Sequence, residues 1–190
     1  MSPSTSTHPV LSKLEAGTWD IDPAHTTAQF VARHLMVSKV RGRFSGISGS
    51  IEIDPADVLA SKVEAKIDVS TVDTGEPQRD AHLRSADFFD VEAYPEMRFV
   101  STSVSEAGGD QFTLKGDLTI KGITRPVELD LEILGVMEDP SFGLRAGFSA
   151  STTVNRQDFG LTWNAALEAG GVVVADKVRL ELEVEAIKHR

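Results

Sequence analysis

Three chemically capable side chains fall within four residues of one another. They are Arg79, Asp80 and His82, in the stretch QRDAHLRSADFFDVEAYP at 78–95. An aspartate beside a histidine has the makings of a general base, because a carboxylate can orient an imidazole that titrates near neutrality. The spacing works against that use, since residues two apart on a helix point to different sides. No partnered nucleophile accompanies them: the chain has neither a G-x-S-x-G elbow nor a phosphate-binding P-loop. Two further readings stay open. In one, Asp80 caps a helical turn at 81–84 and Arg79 pairs with a nearby acid. In the other, the three polar groups contact a headgroup at the mouth of a pocket.

His25 and His34 are the other histidines to weigh. A zinc centre needs three or four converging ligands. No histidine pair here has i, i+4 spacing and the chain has no cysteine. The expectation is no metal, with a histidine held by a carboxylate or a backbone carbonyl.

The elements that must position these groups alternate with period two. In KVEAKID, Val63, Ala65 and Ile67 face one side while Lys62, Glu64, Lys66 and Asp68 face the other. Val127, Leu129, Leu131 and Ile133 oppose Glu128, Asp130 and Glu132, and Val178, Leu180, Leu182 and Val184 oppose Arg179, Glu181 and Glu183. QFTLKGDLTI follows the same rule, with Gly116 between Leu114 and Leu118. Such segments are half-buried antiparallel strands. AQFVARHLMV places Ala28, Phe30, Ala32, His34 and Met36 on one face, and the glycine-rich GRFSGISGSIEID reads as bent. KGI after Ile120 is a tight hairpin with Gly122 free to take positive φ.

Eight or nine long strands with one apolar face have two solutions, a sandwich or a closed barrel. Closure removes exposed edges, and an eight-stranded barrel holds about one small ligand. Ala28, Ala32, Ala65, Gly116, Ala146 and Ala150 interleave with Phe and Leu on the inner faces. They either complete a tapering core or leave room for an elongated apolar guest. Residues 75–95 and 162–178 break the alternation and read as connections with one or two short helices. Phe88 and Phe89, with Leu83, Tyr94 and Pro95, read as a hydrophobic plug at an open end. Phe159, Leu161 and Trp163 line the entrance or cover a seam.

Composition narrows the function. The chain has 190 residues, a net charge of −10 and no cysteine. That length supports one domain with a real core. The charge repels phosphate backbones and anionic lipid surfaces, which sets nucleic-acid binding aside. No apolar run reaches the length of a membrane-spanning helix. The N-terminal segment has no basic region followed by an apolar one, so a cytoplasmic location is expected. Residues 1–16 read as a flexible tail and 17–190 as the domain.

Four stretches together resemble the YceI-like family of polyisoprenoid-binding, lipocalin-shaped barrels. They are WDIDPAHTTAQFVARHLMVSKVRGRF, RDAHLRSADFFDVEAYPEMRFVST, LTIKGITRPVEL and NRQDFGLTW, in that order over residues 17–187. The resemblance implies an all-β fold, an extended eight-stranded antiparallel barrel. Its bore would take an amphiphile with a long isoprenoid or fatty tail, such as a quinone, a quinone precursor, a polyprenyl compound or a fatty amide or acid. It further implies a binding protein without a cofactor, co-purifying with its lipid and acting as a homodimer. Many members are exported to the periplasm behind a signal peptide, which this sequence does not show. The residues expected to meet the guest are Phe30, His34, Met36, Phe99 and Phe148 along the bore. At the mouth they are Arg79, Asp80, His82, Phe88, Phe89, Phe159 and Trp163. An enzyme using Asp80 and His82 on a lipid headgroup, or an interaction or stress module with a filled core, are the rival readings.

Overall fold

The computed structural model describes residues 9–168 and 170–190. Ten strands form one antiparallel sheet: β1 Gly17–Ile21, β2 Thr27–His34, β3 Ser38–Phe44, β4 Gly46–Ile53, β5 Lys62–Asp68, β6 Glu96–Gly108, β7 Gln111–Ile120, β8 Ile123–Asp139, β9 Gly143–Asn155 and β10 Val174–Lys188. Among the described residues a single α-helix, α1 (Pro77–Arg84), lies between β5 and β6. The strand order is β1-β4-β5-β6-β7-β8-β9-β10-β2-β3, and β1 also pairs with β10. That last pairing closes the ring. β1 and β2 are one strand broken by a turn at Pro23–His25, and β3 and β4 are one strand broken at Ser45. Merging each pair leaves a closed eight-stranded barrel, as the family resemblance implies, and decides between the sandwich and the barrel that the alternation left open.

Each break has a local cause. At the first, the Asp22 carboxylate accepts from the Ala24 N–H at 3.0 Å, with Pro23 opening the turn. At the second, the Ser45 and Gly46 N–H groups leave the ladder for the Thr71 hydroxyl, at 3.2 and 3.3 Å. Beyond this point β3 keeps only an isolated bridge from Arg43 to Asp73 on its outer edge. The wall is split there, and residues 69–95 fill the split. The β7–β8 turn forms as expected: Ile120 pairs with Ile123, and Lys121 and Gly122 take φ of 51° and 74°.

A helix in 162–170 does not form among the described residues. Asn164 takes its place. Its amide donates to the Val174 carbonyl at 2.7 Å and its side-chain oxygen accepts from the Val174 N–H at 3.1 Å. The side chain thus stands in for a strand backbone, and the chain turns through Gly170 and Gly171 at φ of 87° and 95°. At the other end, part of the expected tail is packed. Leu14 is 6% exposed, and the Trp19 indole N–H donates to the Glu15 carbonyl at 3.0 Å. Residues 1–8 lie outside the described residues.

The bore and its aromatic closure

Apolar side chains from all ten strands, Ile21 of β1 and Phe44 of β3 among them, converge on one internal cavity of about 270 Å³. On β10 the lining runs from Val174 to Val184. Ten residues of strand span roughly 33 Å, or about 25 Å along the axis of a barrel with ordinary tilt. The cavity is therefore a channel. Leu14 and Val58 line it at the end where β1 begins and β4 passes to β5. Near that end the Ser61 hydroxyl is buried without a hydrogen-bond partner among the described residues.

The small inner residues divide between the two roles open to them. Gly42 and Gly116 seat rings: a Cβ there would fall 2.1 Å from the Phe30 ring and 2.4 Å from the Phe99 ring. Ala28, Ala32, Ala65 and Ala150 line the cavity and leave it space, while Ala146, 1% exposed, only packs.

The mouth is closed by the segment after β5. Val69 and Val72 are fully buried and anchor it. Arg84 donates to the Ser70 and Val72 carbonyls at 2.9 and 3.0 Å, which folds α1 back on its own approach. From this base Phe88 and Phe89 enter the barrel. Phe89 meets Phe44 edge-on at 5.8 Å, and Phe44 packs on Phe30 at 5.8 Å with the rings tilted by 46°. Outside them, Phe88, Trp163 and His82 form a second cluster, with centroids 4.7 to 5.4 Å apart. Lys121 donates to the Ala86 carbonyl at 3.0 Å, tying the β7–β8 turn to the plug.

Of the residues expected at the site, Phe30, Phe88, Phe89, Phe99, Phe148 and Phe159 line the bore. Six do not. β2 ends at His34, so His34 pairs with Ser38 and Val174 at the rim. Met36 falls in the hairpin turn at φ 60° and is 56% exposed, because the alternation stops before it. Trp163 and His82 pack on the outside of Phe88. Arg79 and Asp80 serve the loop: Asp80 accepts from the Thr74 N–H and hydroxyl at 2.8 and 2.5 Å, and Arg79 donates to the Thr74 hydroxyl and carbonyl. The helix cap is Glu76, whose carboxylate accepts from the Arg79 N–H. The Asp80–His82 pair does not form, since His82 meets Asp87 instead at 2.9 Å.

Sequence reasoning missed Arg156. It is 5% exposed at the rim, just after β9. Its guanidinium donates to the carbonyls of Leu161, Trp163, Ala175 and Val174 and to the Asp176 carboxylate, at 2.6 to 3.4 Å. All five N–H groups are spent. Burial holds this guanidinium below its ordinary value, against the opposing pull of Asp176. Arg156 therefore shapes the connection carrying Phe159, Leu161 and Trp163, and has no donor left for a headgroup. The sequence marks it only by its place inside NRQDFGLTW, three residues before Phe159.

A separate polar cluster lies on the wall. Asp22, His25 and Glu185 converge closely enough to hold a cation. Arg145 already supplies one, at 2.9 Å from Asp22 and 2.5 Å from Glu185. The hydrogen bond from His25, at 2.8 Å, and then that from Arg145 hold the Asp22 carboxyl below the usual carboxylate range, with burial opposing them.

Comparison with known proteins agrees with this geometry. The family model described as YceI-like domain matches residues 19–186. A UPF0312 protein of Vibrio cholerae is 37% identical over 169 residues, covering 89% of this chain and 85% of that one. BcnA of Burkholderia cenocepacia superposes with a TM-score of 0.74 at 24% identity, over 87% of this chain and 98% of that one. A polyisoprenoid binding domain from Saccharophagus degradans, implicated in plant cell wall breakdown, superposes at 0.67 with 15% identity, over 92% and 100% of the two chains.

Proposed function

The chain belongs to the YceI-like domain family, and from that premise we propose that its barrel binds an elongated amphiphile by enclosing the apolar tail. The observation that carries this is the channel itself, lined along its length by apolar side chains and kept open by alanines. Burying apolar surface there contributes about 25 cal/mol per Å². A polyprenyl compound, a quinone or a fatty amide or acid fits that chemistry. The polyisoprenoid binding domain from Saccharophagus degradans, similar in fold, supports the first. The acidic and basic side chains point outwards from the strands, the reverse of a membrane-spanning barrel, whose outer band is apolar.

Binding is favoured over catalysis because the candidate acid–base groups are engaged elsewhere. Asp80 is committed to Thr74 and His82 to Asp87, outside the plug. Binding is favoured over a filled-core module because the barrel encloses a cavity of about 270 Å³ with an apolar lining. The test is titration with polyprenols and quinones of graded tail length. Affinity rising with tail length, with a negative heat-capacity change, supports enclosure of the tail. Affinity independent of tail length sinks it.

A further inference from the structure

The hairpin joining β2 and β3 breaks two patterns at once. Its tip holds three apolar side chains in solvent: Leu35, Met36 and Val37 are 37%, 56% and 84% exposed. Its flanks are basic, with Arg33 on β2 and Lys39, Arg41 and Arg43 on β3, all exposed. No acid occurs between Asp22 and Glu52, in a chain whose net charge is −10. The strand register sets Arg33 directly opposite Lys39 on the outer face, with Arg41 opposite Val31. Like charges placed this way destabilise a strand pair. Arg43 has Asp73 at 3.4 Å, whereas Arg33, Lys39 and Arg41 have no ion pair or hydrogen bond from their side chains among the described residues.

Edge protection does not account for this. Basic residues on an edge strand block edge-to-edge pairing, which covers β3. It does not cover Arg33, whose strand is paired on both sides. Nor does it explain the tip. Leu35 and Met36 adopt φ of 52° and 60°, a conformation that asparagine and glycine take at lower cost. The tip is pinned by the Leu35 N–H donating to the Val173 carbonyl at 2.9 Å. The next residue, Val174, lines the bore, and Val172 is itself 39% exposed. The apolar tip thus borders the mouth.

We propose that this hairpin docks the protein on the anionic surface of a lipid bilayer. Leu35, Met36 and Val37 enter the interface, and Arg33, Lys39 and Arg41 meet the headgroups. Charge complementarity selects this occupant: three unpaired cations surround an apolar point on an otherwise acidic molecule. Glu76, Asp87 and Glu92, on the plug side of the same end, are repelled. The barrel therefore stands on its β2–β3 side with the mouth against the membrane. The inference does not rest on what fills the bore.

The test is co-sedimentation with vesicles of phosphatidylcholine, alone or with phosphatidylglycerol. Binding is expected only to the anionic vesicles, with release as salt screens the charges. Arg33→Gln and Lys39→Gln should each lower partitioning about fivefold, Val37→Asp should abolish it, and Lys62→Gln on remote β5 should leave it unchanged. Because the chain has no cysteine, Val37→Cys can carry a single environment-sensitive dye. Its emission should shift to the blue on anionic vesicles, while a dye at Lys62→Cys stays unchanged. Equal binding to both vesicle types, no shift at the tip, or hairpin variants that bind like the wild type would overturn the proposal. So would a dimer in solution that Val37→Asp dissociates, which would assign the tip to a second copy. Uptake of a soluble apolar probe, measured in parallel, reads the bore separately.

Discussion

The His82 imidazole stands edge-on to the Trp163 indole, with ring centroids 4.7 Å apart and planes at 85°. The two residues come from different covers of the same opening, His82 from α1 and Trp163 from the connection after β9. Their contact, with Phe88 packed against both at 5.0 and 5.4 Å, latches the mouth.

Breaking the latch should speed exchange more than it weakens the fold. Trp163→Ala and His82→Ala each remove two aromatic contacts, worth about 1 kcal/mol apiece, outside the bore lining. Release of a fluorescent apolar probe, followed by stopped flow, should accelerate severalfold in either variant. Its equilibrium capacity should stay at the wild-type level. Unchanged release rates would show that the opening lies elsewhere.

Arg156 should prove costly to replace. Arg156→Met would strip partners from four carbonyls at a buried position, a loss of about 3 kcal/mol or more. Arg156→Lys should recover little, because one ammonium cannot reproduce the fork. Urea unfolding midpoints measure both.

Acid should weaken the wall at Asp22. Its folded pKa lies below that of an ordinary aspartate, so its stabilisation is complete above the ordinary value and lost as pH falls through the lowered one. Between neutrality and about pH 4 this group should leave stability flat; below that, the wild type should lose stability faster than Asp22→Asn. Thermal midpoints across that range decide it. Parallel curves would remove Asp22 from the acid response.

Filling the channel should displace the guest without unfolding the protein. Ala150 lines the cavity, so Ala150→Phe has space to enter, whereas a packed core would lose about 1–3 kcal/mol. The expected outcome is a near-native melting temperature and a sharp fall in bound probe.

The barrel was legible because period-two alternation survives in nearly every strand, as Val63, Ala65 and Ile67 illustrate. The plug was legible too, since adjacent Phe88 and Phe89 in a polar segment have to bury somewhere. The polar contacts were not. Asp80 looked like a cap or a base, yet its partner is Thr74, six residues earlier, through a turn that no periodicity reveals. Met36 was assigned inward by extending the alternation of β2 past a turn lacking glycine or asparagine. Arg156 was overlooked because its acceptors are backbone carbonyls, which carry no sequence signal.

The most direct measurement is organic extraction of the purified protein followed by mass spectrometry. The account predicts one amphiphile with a long apolar tail, recovered chemically intact in near-stoichiometric amount and strongly depleted in Ala150→Phe. Repeated preparations that yield no lipid, and that take up neither added polyprenols nor quinones, would contradict it.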